Sequence, residues 1–258
     1  MTTTIAISGK GGVGKTTFAA LAVRFLVEDV GGSVLAVDAD PNATLGPMLG
    51  VDVEATVADF REETLEKKSE IPGGMSKDRF VQYRIQQAIV EERGFDLLAM
   101  GRPEGPGCYC FVNSVLRRYL DQAAEDYPYV VIDNEAGMEH LSRRTTNAVD
   151  VLFTVTEATV IGADTARRIA ELARALPIAV KRIVVVLNRV PSAGISDEVR
   201  ARLEAAQIEV VGEIPLDEEV LAAAAAGRPL RELPRENSMF AAVRSILSQE
   251  LNVPVTTG

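Results

Sequence analysis

The chain lacks any long apolar run. Across its 258 residues, no stretch approaches the roughly 18 apolar residues expected of a membrane-spanning helix. Its first ten residues are already strand-like, with no cationic segment ahead of a long apolar one. No signal peptide and a cytoplasmic location are therefore expected. Positive charge is scarce too: 27 Lys and Arg stand against 37 Asp and Glu, a net charge of −10. Such a chain has no basic footprint for a phosphate backbone, so nucleic-acid binding is not expected. Cysteine is confined to Cys108 and Cys110, which rules out a disulfide scaffold. There is no internal repeat and no low-complexity tract. The polar tail over residues 252–258 lacks the basic amphipathic helix that docks on membranes.

What is present is alternation. Strand-like runs at 3–7, 33–37, 95–99, 129–132, 151–155, 183–187 and 209–212 are interleaved with helical patterns such as 16–30, 112–124 and 163–176. Several of the runs are apolar at consecutive positions, as strands covered on both faces should be. This order predicts one α/β domain, a doubly wound and mainly parallel sheet flanked by helices. Right-handed crossovers follow from that arrangement. Residues 51–92 do not fit it: they show no clear strand, and a charged segment runs into Pro72-Gly73-Gly74. We read that stretch as a helical insertion with a loop.

The segment Gly9-Lys10-Gly11-Gly12-Val13-Gly14-Lys15-Thr16-Thr17 matches G-x-x-x-x-G-K-[ST] between a strand and a helix, as that motif requires. Glycines let successive backbone N–H groups turn toward phosphate oxygens. The following helix offers its positive N-terminus to the same anion. Gly11, Gly12, Val13 and Gly14 are thus expected to cradle ATP or ADP. Lys15 reaches the β- and γ-phosphates, the Thr16 hydroxyl binds Mg²⁺, and Thr17 contacts the α-phosphate.

Lys10 is a second lysine inside the loop, and a loop that cradles its own phosphates does not need it. With it, the segment resembles the K-G-G-x-G-K-[ST] signature of the deviant-Walker ATPases. These are P-loop NTPases of the SIMIBI, MinD-like type, which include MinD, ParA, the nitrogenase iron protein and metal-site maturation ATPases. The resemblance implies a nucleotide-dependent homodimer in which Lys10 crosses to the partner's nucleotide and stabilises transition-state charge.

Two acidic strand ends follow. Val37-Asp38-Ala39-Asp40-Pro41-Asn42 puts Asp40 where ligands gather in open α/β sheets. By resemblance this is switch I, with Asp40 placing the attacking water and Asp38 an outer-sphere magnesium partner. Asp followed by Pro is also a helix N-cap, and the two roles can coexist. Tyr129-Val130-Val131-Ile132-Asp133 is a Walker B pattern whose Asp133 holds magnesium directly or through water. Residues 134–140 would form switch II. His140, the one histidine, reads as a polar helix-start residue rather than a metal ligand. Asn188, and more weakly Pro215, resemble the family's adenine-binding elements.

Both cysteines fall in Gly107-Cys108-Tyr109-Cys110-Phe111. A disulfide between residues two apart would be strained, and two thiolates are a poor tetrahedral site. Two such pairs across a two-fold axis supply four sulfurs. That set suits Ni²⁺ or Zn²⁺. The run over residues 133–144 and the Cys-x-Cys pair resemble the CooC-type branch, whose members help insert nickel into carbon monoxide dehydrogenase. The implied function is an ATP-dependent metallochaperone with that dehydrogenase as client, and with no nucleic-acid or membrane partner. Two alternatives stand beside it. One is a reductase bridged by a [4Fe–4S] cluster on the same thiolates, and the other is a positioning ATPase of the ParA and MinD kind. A cobyrinate-type synthetase needs a glutaminase domain for which this length has no room.

Overall fold

Runs that are apolar at every position become strands covered on both sides. In Val34-Leu35-Ala36-Val37 no side chain reaches solvent. The computed structural model describes residues 2–59, 75–102, 119, 126–134, 148–175 and 179–254. Its strands are β1 (Thr3–Gly9), β2 (Val34–Asp38), β3 (Ile89–Glu92), β4 (Phe95–Ala99), β5 (Tyr129–Asp133), β6 (Ala148–Glu157), β7 (Ala179–Val190) and β8 (Glu209–Pro215). They form one sheet in the order β3-β4-β2-β5-β1-β6-β7-β8. Every pairing is parallel except β3 with β4. The described helices are α1 (Lys15–Phe25), α2 (Leu45–Leu49), α3 (Lys77–Ala88), α4 (Val160–Ala175), α5 (Asp197–Ala205), α6 (Glu218–Ala225) and α7 (Ser238–Leu251).

The doubly wound expectation holds, and each expected strand is present. The stretch 51–92 needs correction, because β3 lies inside it. Ile89-Val90-Glu91-Glu92 follows α3 directly and has only two apolar residues, so its pattern reads as helix. The turn Arg93-Gly94, with Gly94 at φ 92, folds it back as an antiparallel edge strand on β4. An edge strand is half solvated and carries a weaker signal. Residues 60–74 of that stretch, and all of the helix expected at 112–124 except residue 119, fall outside the described residues.

Layering follows from which strand residues point where. Ile5, Ile7, Val131, Phe153 and Val186 pack with α1, α6 and α7 on one face. Leu35, Ile132 and Leu152 meet α3 and α4 on the other, and α4 with α5 covers β7. The α1 helix is the central piece. Phe18, Leu21 and Phe25 have no exposed surface, and Phe18 stacks on Phe153 with ring centroids 5.3 Å apart. Each such ring contributes about 2–3 kcal/mol of burial.

A single π-helical turn, Leu26–Val30, ends α1 at Gly31. The turn aims Asp29 inward, where Arg235 and Arg244 reach its Oδ1 at 2.5 and 2.6 Å. Arg24 lies over the Phe240 ring at 4.1 Å and donates to the Leu230 carbonyl at 3.2 Å. These contacts fasten the C-terminal quarter to α1. We expect Asp29→Ala to cost about 3 kcal/mol, at the lower end for a broken buried pair because both arginines partly reach water. The melting midpoint should fall by roughly 6–12 °C, read by calorimetry.

Candidate functional site

The winding of the sheet reverses at β1, which lies between β5 and β6. Ligands of open α/β sheets bind at the carboxyl ends beside such a point. There the loop from Gly9 to Thr17 leaves β1 and enters α1. A Cβ at Gly9 would stand 2.2 Å from the Val155 carbonyl oxygen, so only glycine lets β6 run this close to the loop. Gly14, at φ 95, N-caps α1 without any side-chain cap, and the first turn contains no acidic residue. The first-turn N–H groups are therefore left for an anion. Lys15 is buried, and its ammonium donates to the Lys10 carbonyl at 3.4 Å. Lys10, Gly11 and Gly12 are exposed, while Thr16 and Thr17 are half-buried.

Two carboxylates stand side by side at the carboxyl ends of β2 and β5. Asp38 and Asp133 are register partners on β2 and β5, and both have no exposed surface. Asp38 accepts the Leu45 N–H at 2.7 Å on Oδ2 and the Asp40 N–H at 3.1 Å on Oδ1. Burial pushes its pKa up to about 6 against these hydrogen bonds. Both its oxygens thus hold the switch I loop. Asp38 is therefore a loop-holding residue in this conformation, a role that can stand beside the outer-sphere magnesium contact expected of it.

Asp133 differs. Among the described residues neither of its oxygens accepts a hydrogen bond of normal geometry, although the Thr16 hydroxyl and Lys15 are near enough to favour its charged form. Burial outweighs them and, with the charges of Asp38 and Asp40, pushes its pKa up to about 7. A buried carboxylate beside a threonine hydroxyl is a hard, all-oxygen donor set. That set fits Mg²⁺.

Asp40 is half-buried. Its Oδ1 accepts from the Asn42 backbone at 2.9 Å and from the Asn42 amide at 2.8 Å, closing an Asx turn that continues into Ala43 at φ 49. The N-cap alternative is not realised, since Thr44 caps α2. Oδ2 remains without a partner among the described residues.

Asn188, expected beside the adenine, contacts the phosphate loop. It is buried, and its amide donates to the Val13 carbonyl of the phosphate loop at 2.8 Å. Pro215 closes β8 opposite Val190. With Val190, Pro191 and Leu216 it bounds a cavity of about 610 Å³. The sequence reading placed Asn134 at the start of switch II and gave its side chain no role. It is buried, and its backbone N–H and side-chain amide both donate to the Ile7 carbonyl, at 3.1 and 2.8 Å. It thereby binds β5 to β1 directly under the loop. A polar residue straight after an apolar strand was the signal for it. Cys108, Cys110 and residues 135–140, including His140, lie outside the described residues. Among the described residues no helix is long and apolar enough to cross a membrane.

Residues 4–230 match the family model of the CobQ/CobB/MinD/ParA nucleotide-binding domain. The chain is 44% identical over 250 residues to an ATP-binding protein of Methanocaldococcus jannaschii, covering 96% of this chain and 98% of that one. It is 35% identical over 237 residues to the carbon monoxide dehydrogenase accessory protein CooC of Rhodospirillum rubrum, covering 86% and 87% of the two chains. Its fold matches the septum site-determining protein MinD complexed with Mg-ADP from Pyrococcus horikoshii. That match has a TM-score of 0.70 at 23% identity over 96% of each chain. The chain belongs to the CobQ/CobB/MinD/ParA nucleotide-binding family and is a deviant-Walker ATPase of CooC type.

Proposed function

We propose that this ATPase is a metallochaperone that works as a nucleotide-dependent homodimer and delivers nickel to carbon monoxide dehydrogenase. The observation that carries the reading is the Cys108-Tyr109-Cys110 pair in a chain 35% identical to a carbon monoxide dehydrogenase accessory protein. One pair gives too few ligands for a closed metal site, and two pairs related by a two-fold axis give four thiolates.

The residues divide the work as follows. The open first turn of α1 and Lys15 take the phosphates, and Asn188 and Pro215 flank the base. Thr16 and Asp133 hold magnesium, which when bound would offset the charge of the phosphates and of Asp133. Asp40, its Oδ1 fixed by Asn42, offers Oδ2 to the attacking water. Lys10 of the partner subunit adds positive charge as the bond to the leaving phosphate breaks. Closure around two nucleotides unites the cysteine pairs, and hydrolysis reopens the dimer and frees the metal. Metal and ATP must then strengthen each other's binding by one and the same factor.

The test is titration of Ni²⁺ and Zn²⁺ into wild type and Cys108→Ser/Cys110→Ser, with and without a non-hydrolysable ATP analogue, while following oligomeric state. We expect one metal per wild-type dimer, tightened by the analogue on the order of 5- to 150-fold, and no such site in the double variant. Normal metal binding by the double variant would sink the reading. Visible absorbance of anaerobically purified protein would replace it with the bridged-cluster reductase. A salt-sensitive DNA shift would replace it with a positioning ATPase, against the net charge of −10.

A further inference from the structure

Asn188 stands at the carboxyl end of β7, one strand away from the phosphate loop in the sheet order β1-β6-β7. Its side chain crosses β6 to reach that loop. The amide nitrogen donates to the Val13 carbonyl at 2.8 Å, and only 2% of the residue is exposed. The contact is tight: a Cβ at Gly14 would meet the Asn188 amide nitrogen at 2.4 Å. The amide thus rests on the peptide joining Val13 to Gly14, whose φ of 95 opens α1.

The orientation of the amide is itself fixed. Asn188 Oδ1 accepts the Arg189 N–H at 2.9 Å, so the nitrogen end must face Val13. Arg189 itself lies in a left-handed conformation, φ 54, which is uncommon and costly for a non-glycine residue. Arg189 is paired with Glu157 at 3.1 Å, and Glu157 is the register neighbour of Asn188 on β6. The chain Glu157–Arg189–Asn188–Val13 is one continuous polar clamp.

We infer that Asn188 is a positioning residue for the phosphate loop, holding the Val13–Gly14 peptide so that the loop N–H groups face the phosphates. A carbonyl drawn outward by the amide turns the same peptide's N–H, that of Gly14, toward the anion. Base contact, the role the family resemblance gives this residue, is secondary to the clamp. The inference rests on the reading of the loop as an ATP site, and the two fail differently.

The experiment separates phosphate from base. Binding of inorganic tripolyphosphate, ATP and GTP, each with Mg²⁺, is measured by calorimetry for wild type, Asn188→Ala and the isosteric Asn188→Asp. In the aspartate variant a carboxylate oxygen would face the Val13 carbonyl. Melting midpoints without ligand show that each variant is folded; if the alanine variant does not fold, the aspartate variant decides. We expect tripolyphosphate affinity to fall on the order of 10-fold or more in either variant, with the ATP-to-GTP preference within about twofold of wild type. Generalised destabilisation would lower the melting midpoint instead, leaving tripolyphosphate affinity at the wild-type value in folded protein. Unchanged tripolyphosphate affinity with a collapsed ATP-to-GTP preference would overturn the inference and make Asn188 a base reader. If wild type itself binds no Mg-ATP, the ATP reading fails and not the clamp.

Discussion

Replacing Asp133 by asparagine will make the ligand-free protein more stable and the Mg-ATP-loaded protein less stable than wild type. Among the described residues the two buried oxygens of Asp133 have no partner of normal geometry, and burial raises its pKa to about 7. An unfolded aspartate ionises near pH 4. Its folded pKa is raised, so the sign follows directly. The folded state resists ionisation between about pH 4 and 7, and stability is lost as pH climbs through that window. Asparagine removes this term but leaves a polar group to satisfy. The net gain at pH 8 is therefore on the order of 1–2 kcal/mol, or roughly 3–6 °C in the melting midpoint. At pH 4 the two proteins should melt alike. Saturating Mg-ATP should stabilise wild type by mass action, and the variant, lacking the proposed magnesium ligand, should gain little. Hydrolysis should drop on the order of 10³-fold, since the metal's charge stabilisation is worth several kcal/mol. Calorimetry with and without Mg-ATP and a phosphate-release assay read all three. A variant that melts below wild type without ligand at pH 8 would mean that Asp133 is a structural anchor, not a waiting ligand.

Asp133 also shows how far sequence reading carries. A hydrophobic run ending in Asp, paired with a phosphate loop, suffices to nominate it, because both signals are local. That Asp133 stands beside Asp38 follows from β5 inserting between β2 and β1, and strand order is not written in any window of residues. The same limit applies to Asn188, whose bond to Val13 spans 175 positions. It applies again to Asp29, whose arginine partners lie 206 and 215 positions away. Neither side chain differs in local context from an ordinary strand-end or helix-end polar residue. Strands buried on both faces were legible because every position repeats the signal, whereas β3 was not, since its outer edge is free. For Asp38 the place in the site was legible and its grip on the switch I loop was not. Two backbone amides that become neighbours only after folding use both of its oxygens.

Lys10→Ala should bind Mg-ATP within about threefold of wild type and hydrolyse it on the order of 10³-fold more slowly, the effect expected of a lost charge in a phosphoryl-transfer transition state. Lys15 is buried against its own loop and is placed to serve the nucleotide there. Lys10 is exposed and makes no side-chain hydrogen bond or ion pair among the described residues; only its backbone carbonyl is used, by Lys15. On the proposed reading Lys15 serves the loop's own phosphates and leaves Lys10 for a nucleotide elsewhere. The cis and trans roles separate on mixing. Asp40→Asn should also bind ATP without hydrolysing it, because its lysines are intact and only the water-facing carboxylate is gone. In a heterodimer, the Lys10→Ala subunit has its own Asp40 and receives Lys10 of the partner subunit, so one of the two sites is complete. Random pairing of equal amounts gives one heterodimer for every two dimers, so activity should recover to about a quarter of wild type. Neither variant alone should show it. If Lys10 served its own nucleotide, every site in the mixture would lack either Lys10 or Asp40, and mixing would restore nothing.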